Sequence, residues 1–179
     1  MSKTLSDDEI KQAVDVLNRV PKGFLPQALF IAVAAKVTMP TMELVPVRQN
    51  QNGDVEVLLT QRPNDDPYWP SQWHMPGTII RASDNEGTDF SSGVERVLQN
   101  ELHGTVHMID KPRYIGMKFW DVARGRELDQ VFYFETDAKD EDVVEGQFFS
   151  FKNLPESTVS HHKVMIPEIA AAFRMQHAE

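Results

Sequence analysis

The chain has 179 residues, 27 Asp plus Glu against 18 Lys plus Arg, no cysteine and a formal net charge of -9. This length fits one domain with a buried core, and the lack of cysteine excludes a disulfide framework, a thiolate metal site and a cysteine nucleophile. A hydrophobic share of 41% and a charged share of 25% are those of an ordinary soluble protein rather than a disordered one. The net acidity predicts that nucleic acid is not a partner, because a polyanion would be repelled.

The sequence contains no membrane-spanning pattern. Its longest strictly apolar run, residues 28–35, is far shorter than the roughly 20 residues that a spanning helix needs. The first residues are polar and include adjacent acids, unlike the basic start and apolar stretch of a secretory signal. We therefore expect a cytoplasmic protein without a membrane partner.

Two helices are predicted at the start of the chain. Ser6 and Glu9 have the spacing of a capping box, and apolar residues then recur at helical intervals. A second helix is expected from Pro26 to about Val37 and is apolar nearly all round, which fits either a cover on the core or a surface for a homodimer. We divide the chain into a helical extension, residues 1–40, packed on a domain formed by residues 41–179.

The rest of the chain alternates between strand and helix patterns. Strands are predicted at 42–47, 55–60, 114–122, 131–135 and 147–151, a short apolar run at 78–81, and helices at 89–102 and 163–177. This order of elements indicates an α+β fold with a mixed sheet, not a regular βαβ winding.

Several segments in this order resemble the Nudix hydrolase family. They are VEVLLTQR (55–62), QWHMPGTII (72–80), GVERVLQNELHG (93–104) and GQFFSFKNLPE (146–156). Members of this family commonly show a Trp-x-x-Pro-Gly-Gly type sequence, which Trp73, Pro76 and Gly77 match, with Thr78 in place of the second glycine. The resemblance covers roughly residues 42–175. It implies an α/β/α sandwich around a mixed sheet, here with two added N-terminal helices.

The Nudix box reads G-x5-E-x7-R-E-U-x-E-E-x-G-U, where U is a bulky apolar residue. Counting from Gly77, its first Glu falls on Ser83 and its Arg on Ser91, so neither matches. Arg96 lies five residues beyond Ser91, and an insertion of that length within residues 82–90 would place Arg96 on the arginine of the box.

In that register the three helix acids of the box fall on Val97, Asn100 and Glu101. Aligning Gly104 with the second glycine of the box instead puts Val97 on the arginine, and Glu101 still occupies an acid position. We prefer the first register because it retains both Arg96 and Glu101. One of the three helix carboxylates is therefore present in either alignment.

The resemblance implies Mg²⁺- or Mn²⁺-dependent cleavage of a diphosphate bond in a nucleoside-linked or other phosphorylated small molecule. Such a metal neutralises the phosphates and activates the attacking water, and carboxylates spaced three and four apart on a helix can share it. The site residues implied are Glu101, Arg96 and Glu145 for catalysis, Arg62, Trp73 and Gly77 for substrate binding, and Glu101 and Glu95 for the metal.

Each of these residues also has a structural interpretation. Glu101 ends an apolar stripe, so it either binds metal or simply reaches water, and Arg96 would be a positioning residue or a surface arginine. Glu95 is also compatible with a solvated helix face, and Glu145 with a solvated acidic loop. The loop 65–73 carries acids and aromatics that either stack on a base or pack beneath the loop. No histidine pair has convincing metal-ligand spacing.

Three functional hypotheses follow from these patterns. The first is a Nudix-type diphosphatase, and the second is a binding or sensor module that keeps the pocket but lacks two of the three helix ligands. The third is an interaction protein that dimerises through its N-terminal helices. The first hypothesis predicts turnover with metal, and the second predicts ligand binding without turnover. The third predicts no response to any ligand.

Overall fold

The computed structural model describes residues 4–84 and 90–177. The helices in this part of the chain are α1 (Asp7–Arg19), α2 (Gln27–Ala34), α3 (Ser91–Arg96) and α4 (Ser160–Gln176). A π-helical turn, Val97–Glu101, extends α3, and a 3-10 turn occupies Asp140–Asp142. No described helix is long and apolar enough to cross a membrane.

The strands form one mixed sheet. They are β1 (Met39–Gln49), β2 (Val55–Gln61), β3 (Trp73–His74), β4 (Gly77–Ile79), β5 (Arg113–Val122), β6 (Gly125–Glu135) and β7 (Gln147–Ser150). The main order is β3-β2-β1-β6-β5, with β4 beside β1 and β7 beside β2. Strands β1 and β6 are parallel, whereas the other pairs are antiparallel.

Strand β1 lies at the centre and separates two apolar cores. Because side chains alternate along a strand, Met42 and Leu44 point to one face of the sheet, and Val45 and Val47 point to the other. We call these the helix face, which α3 covers, and the cavity face, which α4 covers in part. The predicted α+β sandwich with a mixed sheet is thus confirmed.

The two faces are covered by helices of different form. On the helix face, Val97 and Leu102 pack against residues of β1, β2, β6 and β7. On the cavity face, α4 inserts apolar residues at helical spacing, including Ile166, Ile169 and Phe173, into the second core. Two layers of helix therefore enclose the sheet, and the ends of these layers position the polar groups described below.

Element boundaries differ from the prediction at two helices. Helix α2 ends at Ala34 rather than near Val37, because Met39 already pairs with β6 in strand β1. Helix α4 begins at Ser160, so His161 and His162 belong to its first turn. The predicted start of the third helix, at Asp89, falls outside the described residues.

The N-terminal segment contributes little to either core. Helix α1 has the predicted capping box between Ser6 and Glu9, and none of its residues is buried. Its apolar residues, among them Ile10, Val14 and Leu17, are about half exposed. The boundary between residues 1–40 and the rest remains a prediction about domain organisation.

Candidate functional site

The cavity face of the sheet changes from apolar to polar along its length. Going back along β1 from Val45, the residues on this face are Glu43 and Thr41, and the parallel register places Thr41 beside Asp129 of β6. Glu127 is two residues from Asp129 and shares its face. We call Thr41, Glu43, Glu127 and Asp129 the polar floor. All four are buried, with Asp129 fully inaccessible.

A cavity of about 600 Å³ lies over this end of the sheet. Thr41 and Glu43 of the floor line it, and residues 20–25 with Phe30 form its opposite wall. Gly23 has a φ of +85°, and a Cβ there would sit 2.1 Å from Oγ of Ser83, so a side chain would push these two loops apart. The segment between the first two helices thus closes over the sheet and shapes the cavity.

Two carboxylate oxygens of the polar floor have no hydrogen-bond partner among the described residues. These atoms are Oε2 of Glu43 and Oδ2 of Asp129, whereas Oδ1 of Asp129 accepts a hydrogen bond from the hydroxyl of Thr41. Burial raises the pKa of Asp129 to about 6 and raises that of Glu43 well above its ordinary value, with the charge of Asp129 adding to the second effect. Unpaired buried acceptors are costly, which marks this floor as a place for a ligand or a cation.

Gly77 of β4 is required by its contact with Glu43. The two residues are register partners, and a Cβ on Gly77 would lie 2.3 Å from Oε2 of Glu43. A larger residue would therefore displace this carboxylate from the floor. The predicted substrate-binding residue Gly77 does line the cavity, and its role there is to make room for an acid.

Two arginines at the cavity flank Trp69. The guanidinium carbon lies 5.2 Å from the Trp69 ring centroid for Arg124 and 5.7 Å for Arg62, and both arginines line the cavity. Asp66 accepts hydrogen bonds from the backbone N–H groups of Tyr68 and Trp69, which fixes the loop that carries the ring. Nε of Arg62 is buried without a partner. Each guanidinium lies beside an acid, since Arg124 donates to Glu127 and Nη1 of Arg62 is 3.7 Å from Oδ2 of Asp66, and Arg62 keeps one unused donor.

Histidine 161 completes a cluster with two acids of the floor. One ligand atom each from Glu127, Asp129 and His161 lies within 4.8 Å of the other two. The acids come from alternate positions of β6 and the imidazole from the first turn of α4, so these ligands are far apart in sequence. This cluster could hold a metal ion, which agrees with the general prediction of a divalent metal. None of its three residues is among the predicted metal ligands.

Neighbouring histidines are buried and held neutral. Burial lowers the pKa of His161 to about 4 and that of His74 to about 3, and the charge of Arg62 adds to the effect on His74. Nδ1 of His162 accepts the backbone N–H of Met75 at 2.8 Å, and Nε2 of His74 lies 3.0 Å from the Thr60 hydroxyl. These contacts tie β3 to β2 and the segment after β3 to the start of α4.

The predicted positioning residue Arg96 is partly buried and binds a loop. Its guanidinium donates to Asp84, to the carbonyl of Ile79 at 2.9 Å, and to the hydroxyl of Thr78 at 3.3 Å. The salt bridge is thus to an acid after β4 and not to an acid of the helix. Arg96 joins α3 to the glycine-containing strand β4, as a residue that supports the site would do.

Glu101 lies at the rim of the helix face, close to the other predicted acid. It is half-buried, and burial followed by the negative charge of Glu145 raises its pKa, while Arg62 and His103 lower it. Nε2 of His103 is 3.3 Å from Oε2 of Glu145, whose side chain is otherwise exposed. The structure therefore brings Glu101, Glu145 and Arg62 into one electrostatic neighbourhood.

The remaining predicted residues lie elsewhere. Glu95 is exposed on α3, and Val97 is fully buried in the core of the helix face, so neither faces Glu101 across a metal site. Trp73 packs edge-on against Phe149, with ring centroids 4.9 Å apart, and does not line the cavity. Of the two interpretations of the aromatic loop, packing beneath the loop is the one that Trp73 follows.

Sequence reasoning missed the polar floor. The signal was the interruption of two period-2 strands by acids, at Glu43 in β1 and at Glu127 and Asp129 in β6. Such positions are apolar in a strand that is buried on both faces. Only the parallel pairing of β1 with β6 reveals that the three acids meet, because Glu43 lies more than eighty residues before the two acids of β6.

No family model and no curated protein matches the sequence. Solved Nudix structures do match the fold. The NUDIX domain of Shewanella oneidensis NrtR complexed with ADP ribose gives a TM-score of 0.57 at 16% identity, covering 83% of this chain and 99% of that chain. A MutT protein from Methanosarcina mazei Go1 gives 0.53 at 16% identity, covering 76% of this chain and 96% of the other.

The prediction that excluded nucleic acid is wrong. Shewanella oneidensis NrtR complexed with a 27mer DNA matches with a TM-score of 0.55 at 16% identity, covering 77% of this chain and 63% of that one. A protein with this fold therefore occurs in a complex with DNA. The physical error was to use the charge of the whole chain, since binding depends on the local field at a surface. The described chain has the fold of Nudix domains.

Proposed function

We propose that the cavity binds a small phosphorylated molecule through Arg62 and Arg124 and holds it without rapid hydrolysis. The observation that carries this proposal is the pair of guanidinium groups over a buried polar floor, with Nε of Arg62 unpaired. A planar guanidinium matches phosphate oxygens in geometry as well as charge. The similarity to the ADP-ribose complex of NrtR supports a diphosphate attached to a sugar or nucleoside.

The helix face supports binding better than turnover. Position 97 is a buried valine and position 100 an exposed asparagine, so Glu101 is the one box acid in either alignment. Mg²⁺ demands octahedral oxygen ligands and is commonly held by one or two carboxylates together with substrate phosphates. A single half-buried glutamate would hold such an ion weakly, and Arg96 is already engaged by Asp84.

The floor also explains how the ligand would be selected. Burial favours the protonated form of Glu43, which lines the cavity beside Gly77. A protonated carboxyl both donates and accepts, so it can bind a hydroxyl or amide group of the part of the ligand that carries no phosphate. Phe24 also lines the cavity and can supply an apolar surface for the same part.

The proposal is tested with ADP-ribose, ADP and inorganic pyrophosphate, each in chelator. We expect ADP-ribose to raise the melting temperature, since a ligand at one hundred times its Kd stabilises by about 2.7 kcal/mol. Arg62→Gln and Arg124→Gln should each weaken binding about tenfold to a hundredfold, because each removes a charged hydrogen bond. Exposed Arg126 does not line the cavity, so Arg126→Gln is the matched control. Unchanged affinity in both cavity variants, or no response to any of the three probes, would overturn the proposal.

A second candidate function is slow metal-dependent hydrolysis of the same ligand. The observation in its favour is that Glu101 and Glu145 lie in one electrostatic neighbourhood with Arg62, so two carboxylates and a phosphate-binding arginine occur together. Release of AMP with Mg²⁺ or Mn²⁺, together with phosphate from ADP or ribose 5-phosphate from ADP-ribose, would establish it, provided that Glu101→Gln abolishes this release and the exposed-acid control Glu141→Gln retains it. Release that Glu101→Gln leaves unchanged would refute it.

A further inference from the structure

A second feature of the cavity face lies beside Arg124 and involves neither Arg62 nor the acids of the helix face. Glu127 and Asp129 project from alternate positions of β6 toward the first turn of α4, where His161 points back at them. Three ligand atoms lie within 4.8 Å of one another. Zinc bonds to oxygen and nitrogen are about 2.0–2.2 Å, so the ligand atoms around a tetrahedral ion lie about 3.4 Å apart. Side-chain rotations that bring these atoms closer by up to about 1.4 Å would therefore close the triad on an ion.

The state of Asp129 points to a cation at this place. Its side chain is wholly inaccessible, Oδ1 is bound to the Thr41 hydroxyl, and Oδ2 has no partner among the described residues. A buried carboxylate oxygen without a donor costs several kcal/mol. Arg124 donates to Oε1 of Glu127 and so neutralises one of the two acids of the triad. A divalent ion would satisfy the remaining oxygen of Asp129.

His161 is suited to serve as the third ligand. Its imidazole packs among Trp69, Trp120 and His162, which hold the ring in place. The ring comes from the first turn of α4, and one of its nitrogens lies within 4.8 Å of a carboxylate oxygen of each acid. An imidazole nitrogen is the commonest protein ligand of such metals.

We propose that Glu127, Asp129 and His161 bind one divalent transition-metal ion, Zn²⁺ more tightly than Mn²⁺, and both far more tightly than Mg²⁺. Imidazole favours Zn²⁺ and related ions, and affinity for a mixed nitrogen and oxygen site rises from Mn²⁺ to Zn²⁺. Mg²⁺ instead prefers six oxygen ligands in near-octahedral geometry and keeps several waters. The buried triad offers one nitrogen and two carboxylates.

The ion can reach this site through the cavity. Thr41 and Arg124 both line the cavity, and each directly contacts an acid of the triad. The site thus lies immediately beneath the wall that the phosphorylated ligand would contact. It does not require that ligand, nor Glu101 or Glu95, so it stands even if the cavity binds no phosphate.

The test uses the full chain, stripped with chelator and dialysed, with each metal added alone. Isothermal titration calorimetry should give one Zn²⁺ per chain, with Mn²⁺ weaker and Mg²⁺ at least a hundredfold weaker than Zn²⁺. Asp129→Asn, which preserves shape, and His161→Gln should each weaken Zn²⁺ binding at least tenfold. His107 is exposed and outside the triad, so His107→Gln is the matched control and should bind as the wild type.

Folding of each variant is checked by circular dichroism, and either folded variant decides the question. Wild-type affinity in a folded Asp129→Asn or His161→Gln protein would overturn the site. Absence of stoichiometric Zn²⁺ binding by the wild type would do so as well, and equal affinity for Mg²⁺ and Zn²⁺ would overturn the role of the imidazole. Loss of the free Mn²⁺ signal in electron paramagnetic resonance gives a second readout that does not depend on heat.

Discussion

The two faces of the central sheet treat acidic residues in opposite ways. On the helix face, where the Nudix box would place its metal ligands, Glu101 is half-buried at the rim and Glu145 is exposed beside it. On the cavity face, Glu43, Glu127 and Asp129 are buried between β1 and the start of α4, and two of them keep an unpaired oxygen. The acids that most lower the stability of the fold are therefore not those at Nudix box positions.

This difference is the reason for placing both proposed sites on the cavity face. An exposed acid costs a protein almost nothing, so Glu95 and Glu145 carry little information by their presence. A fully buried acid with an unpaired oxygen lowers the stability of the fold unless a ligand or an ion binds it. We therefore place the chemistry of this chain on the cavity face and treat the helix face mainly as structure.

The largest expected effect comes from restoring a box acid on the helix face. Val97 is fully buried between α3 and the sheet, so Val97→Glu would place a carboxylate among Met42, Leu44 and Phe134. We expect the free energy of unfolding to fall by more than about 4 kcal/mol, because an unpaired charge enters the core. Urea denaturation measures this change.

The control for this substitution is Val97→Ala, which removes volume without adding charge. If Val97→Glu were as stable as Val97→Ala and bound Mg²⁺, position 97 would face a metal site after all. That result would erase the contrast between the two faces and would restore the diphosphatase as the better proposal.

The next largest effect is expected at Arg96, which supports β4 from the helix face. Arg96→Ala would leave Asp84, whose side chain is 7% exposed, without its cation. We expect a loss of about 3 kcal/mol, typical of breaking a buried ion pair. Arg96→Lys should recover part of it, since a lysine keeps the charge but not the several hydrogen bonds. A loss below about 1 kcal/mol in thermal or urea unfolding would show that this pair is effectively solvated.

The third prediction concerns the pH dependence of the cavity face. The pKa of Asp129 is about 6 in the fold, above the ordinary value of 3.8, so protonation favours the folded state. The contribution of the protonated Asp129 carboxyl to the free energy of unfolding is present at pH 4 and is lost as the pH rises through 6. Asp129→Asn lacks this titration, so its stability relative to the wild type should increase by about 2 kcal/mol between pH 4 and pH 7 in chelator.

Thr41→Val provides the matched variant for this measurement. The Thr41 hydroxyl donates to Asp129 and so lowers its pKa, and removing it should shift the loss of stability to higher pH. A stability difference between Asp129→Asn and wild type that is flat from pH 4 to pH 7 would contradict the account. It would mean that Asp129 is already compensated in the metal-free protein.

Sequence patterns predicted the scaffold better than the site. The strands at 55–60, 114–122 and 147–151 and the capping box at Ser6 are local features, set by alternation and by spacing over a few residues. The polar floor depends on the parallel pairing of β1 with β6, which no local pattern encodes. The role of Gly77 was likewise hidden, because its neighbour Glu43 comes from another strand.

The residues that the family resemblance singled out lie in different surroundings in the structure. It singled out Arg62 and Gly77, which line the cavity, and Arg96, which is a partly buried support. It also singled out Glu95 and Trp73, which are exposed and packed in the core respectively. The Nudix box assigns a metal ligand from its position in a sequence motif. The structure instead identifies acids that are buried with an unpaired oxygen and so lower the stability of the fold.

The smallest expected effect is at Asn100, the other box position that lacks its acid. Its side chain is exposed, so Asn100→Glu should change the free energy of unfolding by less than about 0.5 kcal/mol. We also expect no Mg²⁺-dependent rise in melting temperature. Each helical residue turns the direction of the side chain by roughly 100°, so the new acid and Glu101 would diverge on the helix surface. A Mg²⁺-dependent rise in this variant would show that the π-helical turn, Val97–Glu101, aims both acids at one ion. Only one carboxylate would then be missing from a metal site on the helix face. The two faces would differ only in degree.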